Sequence, residues 1–292
     1  MQRDETLGYL LGFLAVLAFS LTLPATRIAV AVMPPAIVGL GRALLAAVAA
    51  SLLLAILRPA RPRGREWLSI AVVSAGVVLG FPFLSAWAMQ HLPSMHGAVV
   101  LALLPLGSTV FGALRAGERP SRGFWLISAL GSALVLAFAF QTGVGGLQLA
   151  DLALLGAVLA ASLGYAEGAR VARRLGGWTV ISWALILSIP VLLVPVALTA
   201  DQVPWADLDL EVWVAFLYVA LISQYLAFFA WYRGMTLGGV AKIGQLQLLQ
   251  TFLTLGFSWL LLGEQLDLTT ALYALAVLVC VAWGRRMPVR RG

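Results

Sequence analysis

Apolar residues in this chain gather into long, nearly unbroken runs, each closed by a short cluster of prolines, glycines and charges. An α-helix needs about 20 such residues to cross a hydrocarbon layer of about 30 Å. Stretches that reach this length lie at 7–32, 35–57, 66–91, 94–116, 121–141, 151–174, 178–199, 211–235, 239–262 and 267–283. The joints carry helix breakers: Pro34-Pro35, Arg58-Pro59 through Gly64, Leu92-Pro93, Arg119-Pro120, Gly145-Gly146, Gly176-Gly177 and Gly238-Gly239. No soluble domain fits between them. The first run has the charged start of a signal peptide. It continues to Val32 without a small-x-small cleavage site, so it reads as an uncleaved membrane helix. The pattern predicts an all-α, polytopic membrane protein with ten transmembrane helices.

The pattern also repeats. Residues 88–118 recur 146 positions later, pairing Met89 with Met235, Leu103 with Leu249, Phe111 with Phe257, Leu114 with Leu260 and Gly117-Glu118 with Gly263-Glu264. A second echo joins 15–21 to 157–163, so the duplication covers a whole half. The halves are 1–145 and 146–292, with five helices each. An odd number sends the second half into the bilayer from the opposite side, which predicts two inverted repeats.

Composition agrees with a bilayer: 62% of residues are hydrophobic, 11% are charged and mean hydropathy is +0.98. A net charge of +7 would suggest nucleic acid in a soluble protein, but here the basic residues sort by membrane face. With the N-terminus inside, the inner face receives 17 of the 19 basic residues: Arg3, Arg58, Arg61, Arg63, Arg65, Arg115, Arg119, Arg122, Arg170, Arg173, Arg174, Arg233, Lys242, Arg285, Arg286, Arg290 and Arg291. Asp151, Asp201, Asp207, Asp209, Glu211, Glu264 and Asp267 fall outside. Both termini are therefore expected in the cytoplasm. The single cysteine, Cys280, excludes an intramolecular disulfide and a thiolate metal cluster.

Inverted five-helix repeats are a physical signature of alternating access, with a substrate site near the midplane between the halves. A transporter is the expected class, without cofactor or metal. An intramembrane enzyme would need a catalytic constellation: His91 and His96 lie near one membrane edge, and no acidic pair shares a helix face. A channel would need a ring of repeated polar residues, and no such motif appears.

Several residues carry a family resemblance over essentially the whole length. They are the helix-ending LRAGERP and LLLGEQL motifs, Pro105 thirteen residues before Glu118, Arg42 in the second helix, and ARRLGG after the sixth. With these features the chain resembles the EamA-type ten-helix exporters of the drug/metabolite transporter superfamily. It departs from them at Phe19, where a Trp is usual. In the eighth helix, FFAWYRGMTLGG resembles the YddG-like subgroup, whose members export aromatic and other amino acids. The resemblance implies a bacterial inner-membrane exporter of small metabolites, with the lipid bilayer and the substrate as its partners, acting as a monomer.

Polar residues are costly in lipid and mark candidate sites. In the ninth helix Gln247, Thr251, Thr254 and Ser258 share one face, with Gln250 beside them. The two glutamines offer amides to a substrate, or else the stripe is helix-to-helix packing. Gln224 and Phe228 share a face of the eighth helix with Trp231. Phe81 and Ser85 flank Pro82 in the third, and Ser162 and Tyr165 form a hydroxyl pair in the sixth. Pro82 and Pro105 are expected to loosen their helices. Leu101, Ala102 and Leu104 would form a smooth wall if the resemblance holds. Trp67, Trp178, Trp205 and Trp213 read as interfacial anchors. Arg27 and Arg42 fall toward the outer side, where each either attracts a substrate carboxylate or is structural; the structural reading is preferred. Glu167 pairs with Arg170, and Glu118 and Glu264 hold loops.

In the region of the first helix where related small multidrug exporters carry a proton-exchanging Glu, this chain has Phe19, Ser20 and Thr22. The expected cavity is uncharged, suits neutral amino acids including aromatic ones, and is not proton-coupled. The alternative is an exporter of cationic drugs.

Overall fold

The computed structural model describes residues 2–142, 148–287 and 289–290. The Gly145-Gly146 joint, the boundary between the predicted halves and Arg291 lie outside the described residues, as do the side chains of Arg3, Arg285, Arg286 and Arg290. Among the described residues, eight helices are long and apolar enough to cross a membrane: α1 (Thr6–Val30), α2 (Ile37–Leu57), α3 (Glu66–His91), α4 (Ser94–Arg115), α6 (Leu149–Leu175), α7 (Gly177–Gln202), α8 (Leu210–Gly238) and α9 (Val240–Leu262). Two more helices, α5 (Arg122–Thr142) and α10 (Leu268–Arg286), pack on each other. The boundaries follow the apolar runs closely, because each run ends where proline, glycine or charge stops the helix.

Many of these helices are not continuous. The first breaks at Leu21 and the fourth at Ala102–Leu103, while the ninth breaks at Gln245–Leu246. Wide π turns occupy Ser74–Gly80 in α3 and Tyr218–Leu226 in α8, at equivalent places in the two halves. Two of these irregularities trace to a proline. Pro24 has no N–H to offer the Ser20 carbonyl, and Thr254 of α9 donates its hydroxyl to that oxygen at 2.8 Å. In α3 the N–H of Phe81 is diverted to the Gly76 carbonyl, and Pro82, the next residue, has none to give Val77. Gln224 of α8 donates its side-chain amide to the Val77 oxygen at 3.0 Å. Irregular backbone is tolerated at membrane depth where neighbouring helices satisfy it.

The helices pack in matching pairs: α1 lies on α8 and α6 on α3, while α2 meets α7 and α4 meets α9. Glycines permit the closest crossings. A methyl group on Gly234 would lie 3.0 Å from the Gly8 carbonyl oxygen, and one on Gly76 would run into the Ala160 carbonyl. Small residues here let two backbones touch.

The α4–α9 pair is fixed at both ends by the Gly-Glu motifs. Gly117 and Gly263 take positive φ, +75° and +62°, which ends each helix in a left-handed residue and sends the following glutamate back across the partner. Glu118 accepts from the backbone N–H groups of Val240 and Ala241, both at 3.2 Å, at the start of α9. Glu264 accepts from those of Ser94 and Met95, both at 2.8 Å, at the start of α4. Positions 94 and 95 correspond to 240 and 241 at the same 146-residue offset that relates the two glutamates. The carboxylates are therefore reciprocal N-caps between helices, where loop anchoring was expected. Each satisfies two orphan donors and meets the positive end of a helix dipole. Because the end of each helix lies at the start of the other, α4 and α9 run antiparallel.

One face gathers basic ends. Arg115 of α4 donates to Glu167 of α6 at 2.9 Å, Arg170 also binds Glu167, and Arg174 binds Glu66 at the start of α3. The short strand Arg119–Pro120 after α4 pairs antiparallel with Val289–Arg290 after α10.

Replacing Glu118 or Glu264 by Ala leaves two buried N–H groups without an acceptor. Each change is expected to lower unfolding stability by about 1–3 kcal/mol, with Gln recovering part of it. Thermal denaturation in detergent, read by circular dichroism, measures this; an unchanged midpoint would remove the capping role.

Candidate functional site

The two wide turns and the α1 break border a small cavity lined by Phe19, Thr22, Arg42, Val77, Phe81, Tyr165, Ser223, Gln224, Phe228 and Gln250. These residues come from α1, α2, α3, α6, α8 and α9, so both halves of the chain contribute. The free volume is about 20 Å³, room for a single water and no organic substrate. Most of the wall is buried, and both ends of the α4–α9 pair are capped.

One wall is aromatic. Phe19 meets Phe228 edge-on with ring centres 5.2 Å apart, and Tyr165 lies 6.0 Å from Phe228 and 5.5 Å from Trp231. Trp231 and Tyr232 behind them are fully buried. Packed rings give a stiff apolar surface with edges and faces for a substrate to meet. Thr22 and Ser223 join their hydroxyls at 2.8 Å across α1 and α8.

Of the residues singled out in the sequence, the cavity brings together Gln224, Phe228, Phe81, Tyr165 and Gln250. Gln247, Ser85, Ser162, Ser20, Leu101 and Leu104 are buried elsewhere. The Ser20 hydroxyl bonds the Val16 carbonyl at 2.7 Å, Ser85 the Pro82 carbonyl at 3.2 Å, and Ser162 reaches the Leu104 carbonyl at 3.5 Å. The α9 stripe continues as contacts between helices: Thr254 holds Ser20, and Ser258 bonds Ser94 at 2.9 Å. Gln247 opens the second segment of α9, and both its amide atoms are buried without a partner among the described residues. Pro82 and Pro105 stand in the first turn of the segments that follow the α3 wide turn and the α4 break.

The expected uncharged cavity carries a cation. Arg42 is 1% exposed, and its Nε and Nη1 have no hydrogen-bond partner among the described residues. Depth along the helix axis had placed it outward. The side chain reaches several ångströms from its Cα, far enough to enter the central space. An ionisable residue inside an apolar span was the available signal. Arg27 behaves as expected of a structural residue, donating to the Met89 carbonyl. Among the described residues that line the cavity none is acidic, and no group of three or more potential metal ligands occurs among the described residues.

The EamA-like transporter family model matches residues 6–140 and again residues 148–283. The chain belongs to the EamA-like transporter family. It is thus a membrane transporter rather than an enzyme. The uncharacterized transporter YdeK of Bacillus subtilis (strain 168) is 45% identical over 284 residues, which cover 97% of this chain and 99% of that protein. A solved structure, described only as a crystal structure of a protein, superposes with a TM-score of 0.68 over 94% of this chain and 95% of its own, at 20% identity. That likeness concerns the fold alone.

The two cavity glutamines differ in what they already hold. Gln224→Leu deprives the Val77 carbonyl of its donor and is expected to lower unfolding stability by about 1 kcal/mol. The Gln250 carbonyl oxygen is buried and unpartnered among the described residues, so Gln250→Leu should leave the melting midpoint unchanged or raise it. Equal losses for both variants in a thermal-shift comparison would contradict this division.

Proposed function

We propose that the chain crosses the bacterial inner membrane ten times, as two inverted five-helix units at 1–145 and 146–292 with both termini cytoplasmic. In this reading it exports small neutral or zwitterionic metabolites, aromatic and other apolar amino acids foremost, by alternating access. The observation that carries the reading is the buried cavity of rings, amides and hydroxyls built from both halves. Reciprocal caps at one constant offset, and wide turns at equivalent places in α3 and α8, support the inversion. The basic ends of α3, α4 and α6 on one face support the orientation. Pro82 and Pro105 serve as the bending points, and the chain works as a monomer. The assignment to YddG-like aromatic exporters rests on the eighth-helix motif and on the ring cluster.

Transport runs down the gradient of the substrate, since none of the lining residues is a carboxylate able to cycle a proton. The same fact disfavours a cationic drug as cargo. Counterflow into vesicles reconstituted with the purified protein tests the proposal. Labelled phenylalanine and leucine should enter saturably and without regard to an imposed pH gradient, while ethidium stays out. Uptake of ethidium alone, or amino-acid uptake that vanishes without a pH gradient, would overturn it.

A further inference from the structure

We infer that Arg42 is an anion-binding centre, so that the cargo is recognised through a single carboxylate and an amino group is tolerated without being required. The inference rests on the transport reading above and redefines its substrate class by the carboxylate that apolar amino acids share with simple monocarboxylates.

The other arginines with described contacts in or beside the spans have acceptors. Arg27 holds the Met89 carbonyl, Arg115 and Arg170 share Glu167, and Arg174 holds Glu66. Acids near the membrane edges are engaged as well: Asp151 binds His96 at 2.6 Å, and Glu118 and Glu264 cap helices. Arg42 alone among these arginines is buried in the central space with its Nε and Nη1 unpartnered. A guanidinium held out of water without a counter-charge is strongly unfavourable, and an arriving anion relieves that cost. Charge-assisted bonds to a carboxylate are what this side chain makes best.

The rest of the lining sets the substrate class. The site contributes one positive charge, which one carboxylate balances and a phosphate dianion exceeds. Phe19, Phe81 and Phe228 offer an apolar wall for the body of the cargo, and Gln250 has a free carbonyl oxygen for an N–H or O–H group. None of the lining residues is acidic, so nothing there demands an ammonium. The class is small monocarboxylates with an aromatic or branched apolar body, of which apolar amino acids are one kind.

The test uses full-length protein and four probes of similar shape: L-phenylalanine, 3-phenylpropanoate, L-phenylalaninamide and phenethylamine. Binding is read by ligand-induced thermal shift and transport by counterflow. The two carboxylates should stabilise the protein saturably, and the amide and amine should not. Arg42→Gln should weaken carboxylate binding by roughly 10- to 100-fold, with Arg42→Lys in between. Arg42→Gln also removes an unpaired buried charge, so its melting midpoint without ligand should equal or exceed that of the parent; this separates lost binding from lost folding. The inference is overturned by amide or amine binding as tightly as the carboxylates, by carboxylate affinity unchanged in Arg42→Gln, or by no carboxylate binding at all. Amino-acid transport indifferent to the carboxyl group would remove the anion site and leave the transport reading intact. Carboxylate binding lost in Arg42→Gln, without any amino-acid transport, would do the reverse.

Discussion

A backbone N–H or C=O inside a bilayer must find a partner within the protein, because lipid tails supply none. This constraint shapes the molecule more than any apolar contact. Straight helices would meet it alone, but this chain breaks or widens its helices at Leu21, Ser74–Gly80, Ala102–Leu103, Tyr218–Leu226 and Gln245–Leu246. At two of these places the freed carbonyl is taken by a side chain from the other half, Thr254 for Ser20 and Gln224 for Val77. The starts of α4 and α9 are satisfied across the halves by Glu264 and Glu118. Hydrophobic packing offers little specificity between helices that lipid would solvate equally well. The bonds to interrupted backbone supply it, and they fix which helix faces which.

The same interruptions create the cavity. Val77 is both the carbonyl left over by Pro82 and part of the wall, and Gln224 both repairs that carbonyl and lines the space beside it. Structural repair and the cavity wall thus share residues. Some buried polar atoms stay without a partner among the described residues: the Gln250 oxygen and two nitrogens of Arg42 lie on the cavity, while those of Thr26, Ser108, Thr179, Gln245 and Gln247 lie away from it. Polar groups in that condition are costly unless something else completes them.

The fold was legible because its signals are local. Apolar run length gives the spans, breakers give their ends, and the constant offset between the Gly-Glu motifs gives the duplication. Five of the cavity-lining residues were legible too, since aromatics and amides beside Gly, Pro or another polar residue stand out in an apolar helix. Others were misplaced for a geometric reason. Gln247 shares a face with Thr251, Thr254 and Ser258, but that face meets α1 and α4, while Gln250, three residues on, turns to the cavity. Ser20, Ser85 and Ser162 spend their hydroxyls on nearby carbonyls, a use that sequence spacing does not reveal. Arg42 was assigned by the depth of its Cα, although a long side chain is placed by its tip. The two glutamates were recognised as a pair, but their targets emerge only when positions 94 and 240 are compared at the same offset.

The antiparallel α4–α9 pair is held at both of its ends. The two caps share one chemistry, a carboxylate on two N–H groups, so neither face is favoured by the cap itself. Their neighbours differ. At the start of α4 the cap bonds are 2.8 Å with the Ser258–Ser94 bond beside them, and the buried His96–Asp151 pair joins α4 to α6. At the start of α9 the cap bonds are 3.2 Å, and the neighbouring Arg115–Glu167 pair joins α4 to α6 without touching α9. Identical caps are thus set among different neighbours, and Glu118 and Lys242 at the α9 end have further interactions of their own.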